Sequence, residues 1–180
     1  MTETSASIEA LRFPIDPFAA PEDLTKDDWQ AAIEEIEAAP AGVREVVAGL
    51  SDEQLDSPYR PEGWTARQVV HHLADSHINS YIRFKLGLTE EHPTIRTYHE
   101  ERWAELEDSR APVQISLTLL EAIHSRWALL LRSFADEDWA RTVHHPDMGS
   151  MRLDVLLAFY AWHGRHHIAH IKSLRRRNGW

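Results

Sequence analysis

Apolar residues recur at threes and fours along four long stretches of this chain, and nowhere with the sustained alternation of a half-buried strand bounded by hairpin turns. The first stretch opens at Thr25-Lys26-Asp27-Asp28, a capping-box-like start, and continues through Ile33, Ile36, Val43, Val47 and Leu50. Pro40 lies inside it, so a kink or a restart is expected there. Ser51-Asp52-Glu53-Gln54 suits a short helical turn, and the two prolines and the glycine of the segment 57–64 mark a loop. The second stretch begins at Thr65-x-x-Gln68 and runs through Val69, Val70, Leu73, Tyr81 and Phe84 to the neighbourhood of Gly87. The third spans Val113 to Ala135 on Leu117, Leu120, His124, Trp127, Leu131 and Phe134. After a polar loop over His144-His145-Pro146-Asp147-Met148-Gly149, the fourth starts near Arg152 and ends near Arg176, where Arg175, Arg176 and Arg177 suit the negative end of a helix. Between the second and third stretches, Thr89 to Pro112 is polar, weakly patterned and long for a connection in a bundle. It reads as a crossover with some helix of its own, or as a lid. The expected architecture is an all-α four-helix bundle with a long crossover between its second and third helices. One domain over residues 25–180 follows a Pro-rich arm, residues 1–24, that wraps or frays.

Composition narrows the function classes. With 180 residues, 43% of them hydrophobic and 27% charged, the chain is long and apolar enough for a sizeable core, and it is not a disordered protein. Its formal net charge of −10 offers no basic footprint for phosphate backbones or anionic membranes, so nucleic acid and membrane are not expected partners. The acidic, Pro-broken N-terminus lacks the basic and apolar regions of a signal peptide, and a cytoplasmic location is expected. There is no cysteine, hence no disulfide, no thiolate metal ligand and no thiol nucleophile of the protein's own.

What is unusual is histidine. Seven of the 12 fall in two short stretches, His71, His72 and His77 in the second helix and His163, His166, His167 and His170 in the fourth. The inward seam of the fourth helix reads Leu153, Leu156, Tyr160, His163, His167, Ile171, Leu174, so two imidazoles occupy positions where apolar side chains belong. At 3.6 residues per turn, positions four apart lie about 40° apart around the helix, which makes His163 and His167 a chelating pair. His72 heads a polar line, His72, Asp75, Ser76 and Asn79, on the second helix, and supplies a third imidazole.

A single inward histidine is more often a hydrogen-bonded core residue than a ligand. A pair at i and i+4 on an apolar seam, joined by a third from another helix, reverses that balance. Unsatisfied polar groups are costly in a core, and a metal ion satisfies all three. Three protein ligands leave a coordination position for water or substrate, the arrangement of a catalytic site. Asp75 is the candidate carboxylate to hold the outer N–H of a ligand, or to orient a water. His71, His77, His166 and His170 are alternates, with the pair His166/His170 rotated off the seam centre. Glu121-x-x-His124 matches half of a di-iron signature, but no second such motif exists, so Glu121 reads as exposed and His124 as core or pocket lining. Arg83, Tyr98, Trp103 and Trp127 are candidates for a pocket mouth, though aromatics at helical spacing are usually core.

These residues also carry a resemblance. Tyr59-Arg60-Pro61-x-Gly63-Trp64-Thr65-x-Arg67-Gln68-Val69-Val70-His71-His72-Leu73-Ala74-Asp75-Ser76-His77, then Tyr81-Ile82-Arg83-Phe84-Lys85, His124-Ser125-Arg126-Trp127 and Tyr160-Ala161-Trp162-His163-Gly164-Arg165-His166-His167-x-Ala169-His170, resemble the YfiT-type metal-dependent hydrolases of the DinB-like superfamily, from about Arg12 onward. The resemblance implies a four-helix bundle, a homodimer, and one divalent ion per chain, zinc or nickel, on His72, His163 and His167. It implies a small-molecule substrate and water activation at the ion. The name hydrolase follows the open metal site, however, and relatives similar in fold transfer low-molecular-weight thiols. A metal-dependent thiol S-transferase is therefore the alternative activity, and a metal-binding protein without turnover the second alternative.

Overall fold

The computed structural model describes residues 5–180, with side chains from Ile8 onward. Its four long helices are α2 (Lys26–Val47), α4 (Ala66–Thr89), α6 (Val113–Arg132) and α7 (Leu153–Asn178), with short helices α1 (Ser5–Arg12), α3 (Asp52–Leu55) and α5 (Glu100–Trp103) between or before them. In the bundle, α2 packs against α6 and α7, and α4 packs against the same two. The capping boxes foreseen at Thr25/Asp28 and Thr65/Gln68 both form: each threonine Oγ1 accepts from the backbone N–H three residues on, and the side chain there accepts from the cap's own N–H. At the other end of the bundle α7 stops at Gly179, whose φ of 71° is the left-handed conformation that a glycine adopts without strain.

Two expectations need correcting. Pro40 does not divide its helix: α2 is continuous from Lys26 to Val47 with Pro40 buried inside it, while Leu50 lies beyond its end. Within the all-α bundle, the segment read as a polar loop after the third long helix also carries a short hairpin. Thr142–His145 (β1) and Gly149–Arg152 (β2) pair antiparallel, His145 opposite Gly149, around a tight turn in which Gly149 takes a φ of 78°. The crossover docks on this hairpin, since the His144 N–H donates to the Pro93 carbonyl at 2.8 Å and the Ile95 N–H to the His144 carbonyl at 2.9 Å. Otherwise the crossover, residues 90–112, holds α5 and a 3₁₀ turn at Glu107–Arg110.

Residues 1–4 of the N-terminal arm lie outside the described residues, and at Asp16 and Phe18 the arm packs on α7. Trp162 Nε1–H of α7 donates to the Asp16 carbonyl at 2.8 Å, and Phe18 packs edge-on against Phe159. No helix of the described residues is long and apolar enough to cross a membrane.

The core has two apolar halves. One gathers Ile33, Ile36, Phe84, Trp127, Leu131, Leu156 and Tyr160; the other Val43, Val46, Val70, Leu117, Leu120, Ile171 and Leu174. On every long helix the chain passes from one half to the other through a buried interruption: Pro40 on α2, His77 on α4, His124 on α6, and His163 to His170 on α7. A layer of imidazoles thus lies across the middle of the bundle.

Candidate metal centre

The i, i+4 geometry of α7 and the facing position of α4 bring His72, His163 and His167 together, with one nitrogen of each inside a set no more than 4.8 Å across. His163 and His167 are buried and His72 is half-buried. The Nε2 atoms of His72 and His163 are 3.3 Å apart. Imidazole nitrogens held at ~2.0–2.1 Å from one tetrahedral zinc ion are separated by about 3.3 Å, so this pair already has the spacing of a ligand edge. Trp64 lies against His72 with ring centroids 4.6 Å apart, and stacks more distantly on His167.

The protonation state suits ligation. Burial drives His163 and His167 well below the ordinary imidazole range, and the neighbouring imidazoles add to the effect. His72 is pushed down to about 4, by burial first and by His170 second. All three are neutral at physiological pH, with a lone pair on each ring.

The outer nitrogens of His163 and His167 meet other histidines rather than a carboxylate. His163 Nδ1 lies 3.1 Å from His77 Nε2, whose Nδ1 lies 2.7 Å from His124 Nε2; His124 Nδ1–H donates to the Ile36 carbonyl at 2.5 Å. On the other side His167 Nδ1 lies 3.4 Å from His170 Nδ1, and His170 Nε2–H donates to the Arg12 carbonyl at 2.9 Å. The Asp75 carboxylate, expected to fill this role, has no hydrogen bond to any of the three imidazoles among the described residues; burial, with Asp108 nearby, raises its pKa to about 6.

The other sequence candidates separate cleanly. His71 is turned away, with Nδ1 2.7 Å from Ser116 Oγ and Nε2–H donating to the Ala111 carbonyl at 3.0 Å. His166 stacks on Trp162 and packs against Phe13, its Nδ1 buried without a partner among the described residues. Glu121 pairs with Arg44 at the surface. Trp127 is wholly buried core, and Trp103 is a partly exposed neighbour of Tyr98.

A cavity of about 160 Å³ opens onto His72 and His163. Arg83 and Tyr98 line it, as does Glu100 from the crossover. The helical periodicity carries no sign that a hairpin takes part, yet His145, Met148 and Met151 close one side. Arg83 is buried, donates through Nη1 to the Tyr160 hydroxyl at 2.6 Å and through Nη2 to the Arg96 carbonyl at 3.1 Å, and forms no ion pair among the described residues. Tyr98 is held protonated, its pKa pushed up to about 12 chiefly by burial.

With this geometry in place, the comparisons with known proteins bear on it directly. The profile of the DinB superfamily matches residues 35–171, a span that includes all three imidazoles. The chain belongs to the DinB superfamily. Within it, a protein of Bacillus cereus (strain AH820) and one of Bacillus anthracis are each 52% identical over 170 residues, 94% of this chain and 98% of theirs, and their names class them provisionally as metal-dependent hydrolases. The solved structure of YfiT from Bacillus subtilis, a four-helix bundle of unusual topology given the same provisional class, is 49% identical. It superimposes with a TM-score of 0.93 over 95% of this chain and 99% of that one. This DinB-superfamily chain therefore has the four-helix bundle expected from its helical periodicity.

Proposed function

We propose that His72, His163 and His167 hold one divalent ion, zinc or nickel, and that the site hydrolyses a small electrophilic molecule bound in the adjoining cavity. The observation that carries this is the convergence of three neutral imidazoles from two helices within 4.8 Å of one another, two of them, His72 and His163, 3.3 Å apart on a cavity wall. A divalent ion held by these three imidazoles would supply Lewis acidity, lowering the pKa of water and polarising a substrate oxygen.

The chain's own residues supply the rest. Arg83, buried and without a carboxylate partner among the described residues, is placed to hold an anionic or strongly accepting group of the substrate, with the Tyr160 hydroxyl fixing the guanidinium. Tyr98 presents a hydroxyl that stays a donor across the physiological range. Met148, Met151 and Phe159 give the cavity an apolar side.

Elemental analysis of untagged protein, beside a His72→Ala/His163→Ala/His167→Ala variant, tests the first half of the proposal. About one zinc or nickel per chain, lost in a still-folded variant, is expected; a wild-type protein that holds no metal after reconstitution overturns it. The reaction class is tested on the loaded protein with electrophilic esters and amides, with and without small thiols. Hydrolysis independent of thiol is expected. Thiol-dependent conjugation would assign the site to thiol transfer instead, in which the thiol must come from a second substrate because the chain has none.

A further inference from the structure

Three histidines of the buried layer, His77, His124 and His170, are not in the proposed ligand set, yet burying an imidazole is costly unless both nitrogens find partners. Their partners form two chains that end on backbone carbonyls. Such an oxygen only accepts, so each chain has a direction.

The first chain starts in α2. Inside an α-helix the Ile36 carbonyl would accept the N–H of residue 40, but residue 40 is proline and has none. The freed oxygen accepts from His124 Nδ1–H. His124 is neutral, its pKa pushed down to about 4 chiefly by burial, so its Nε2 is left a lone pair. The 2.7 Å contact then requires His77 Nδ1 to carry a proton and His77 Nε2 a lone pair, and the 3.1 Å contact requires His163 to be protonated at Nδ1. The second chain starts at Arg12, the last residue of α1, whose carbonyl is among those a helix end leaves unpaired. It accepts from His170 Nε2–H, so His170 Nδ1 carries the lone pair and His167 Nδ1 the proton.

We infer that His77 and His124, anchored on the carbonyl that Pro40 frees, and His170, anchored on the end of α1, are positioning residues. They lock His163 and His167 as Nδ1–H tautomers and present both Nε2 lone pairs to one point. His72 differs. Its Nδ1 makes no hydrogen bond among the described residues, while its Nε2 faces the lone pair of His163 Nε2. In the metal-free protein His72 therefore carries its proton on Nε2, and it is the one ligand that must change tautomer to bind an ion. The first chain, with contacts of 2.7 and 3.1 Å, constrains more tightly than the second, whose inner contact is 3.4 Å.

The tautomer assignment does not depend on the proposed ion; only its consequence for affinity does, and the test keeps the two apart. Long-range proton–nitrogen correlation spectra of the metal-free, isotope-labelled protein at neutral pH read the tautomers directly. Nδ1–H is expected for His163 and His167 and Nε2–H for His72. Nε2–H or an averaged mixture at His163 overturns the first chain, and the same result at His167 overturns the second. Zinc alone, titrated against a chromophoric chelator, gives the second readout. His77→Phe and His124→Leu are expected to weaken zinc binding by about 10–100-fold and to leave His163 averaging between tautomers, with His167 unchanged. His124→Gln, whose amide both donates to Ile36 and accepts from His77, is expected to recover most of the affinity. Folded variants that bind zinc within about twofold of wild type would overturn the positioning role. Should a variant not fold, the wild-type spectrum decides alone. A wild type with the expected tautomers but no zinc affinity would uphold the chains and remove the metal assignment.

Discussion

Replacing His124 with Leu removes a donor from one buried group and an acceptor from another: the Ile36 carbonyl and His77 Nδ1–H both lose their partner. Each buried orphan costs about 1–3 kcal/mol, so the substitution is expected to destabilise the metal-free protein by about 2–6 kcal/mol. Made in a Pro40→Ala background, it should cost less. The alanine brings the N–H that Pro40 lacks, and the continuous geometry of α2 aims it at the Ile36 carbonyl, so only His77 is then orphaned. The difference, about 1–3 kcal/mol, is the coupling between positions 40 and 124. Urea unfolding of wild type, the two single variants and the double variant, with chelator present, closes the cycle. The intrinsic effects of the proline ring and of a leucine in the core cancel in it, leaving the shared carbonyl. Additivity within about 0.5 kcal/mol would refute the claim that Pro40 and His124 act on one oxygen.

Two further predictions concern charge. Because burial lowers His124 to about 4 from an ordinary value of 6.5, the unfolded chain binds more protons than the native one between those limits. The stability this histidine contributes is full above pH 6.5 and lost as pH falls through 4, about 3 kcal/mol in all; unfolding free energies of the chelated protein that stay flat from pH 7 to about pH 4.5 would contradict it. Arg83→Met is expected to raise KM for anionic substrates by about 10–100-fold, the worth of a charge-assisted hydrogen bond, with metal content unchanged; equal weakening toward a neutral analogue would show that Arg83 only packs.

The helices and the clustering of the three imidazoles were legible for a local reason. Thr25, Thr65 and the three-four seams act within a few residues of themselves, and His163 and His167 betray themselves by sitting in a seam otherwise made of Leu, Tyr and Ile. The misses are non-local. Pro40 normally interrupts a helix, and nothing near it shows that an imidazole 88 residues from Ile36 takes up the freed carbonyl. His77, five residues beyond His72, lies about 140° around α4 from it and so falls outside the polar stripe that pointed to the site. The hairpin has strands of only four residues, with Val143 and Met151 buried between polar neighbours. Its pairing is completed by backbone from the crossover, which a periodicity pattern does not record.

The failure of Asp75 to reach the imidazoles has a chemical consequence. A carboxylate holding the outer N–H makes its histidine more basic and brings a negative charge beside the ion. Here the outer partners are neutral rings and backbone carbonyls, pushed to neutrality by the same burial that keeps the ligands unprotonated. On the proposed assignment a divalent ion at His72, His163 and His167 keeps its full charge, and Arg83 adds another on the wall of the same cavity. Even with the Glu100 carboxylate on the same wall, the ion and Arg83 would leave the pocket net positive, which lowers the pKa of whatever acid is brought to the ion and favours ligands that arrive with negative charge. The neutral histidine layer and the unpaired arginine therefore point the same way. A carboxylate introduced beside the ligands, as in His77→Asp, should hold zinc at least as well as His77→Phe but make a poorer catalyst than wild type, because the charge it adds opposes the polarisation that the layer preserves.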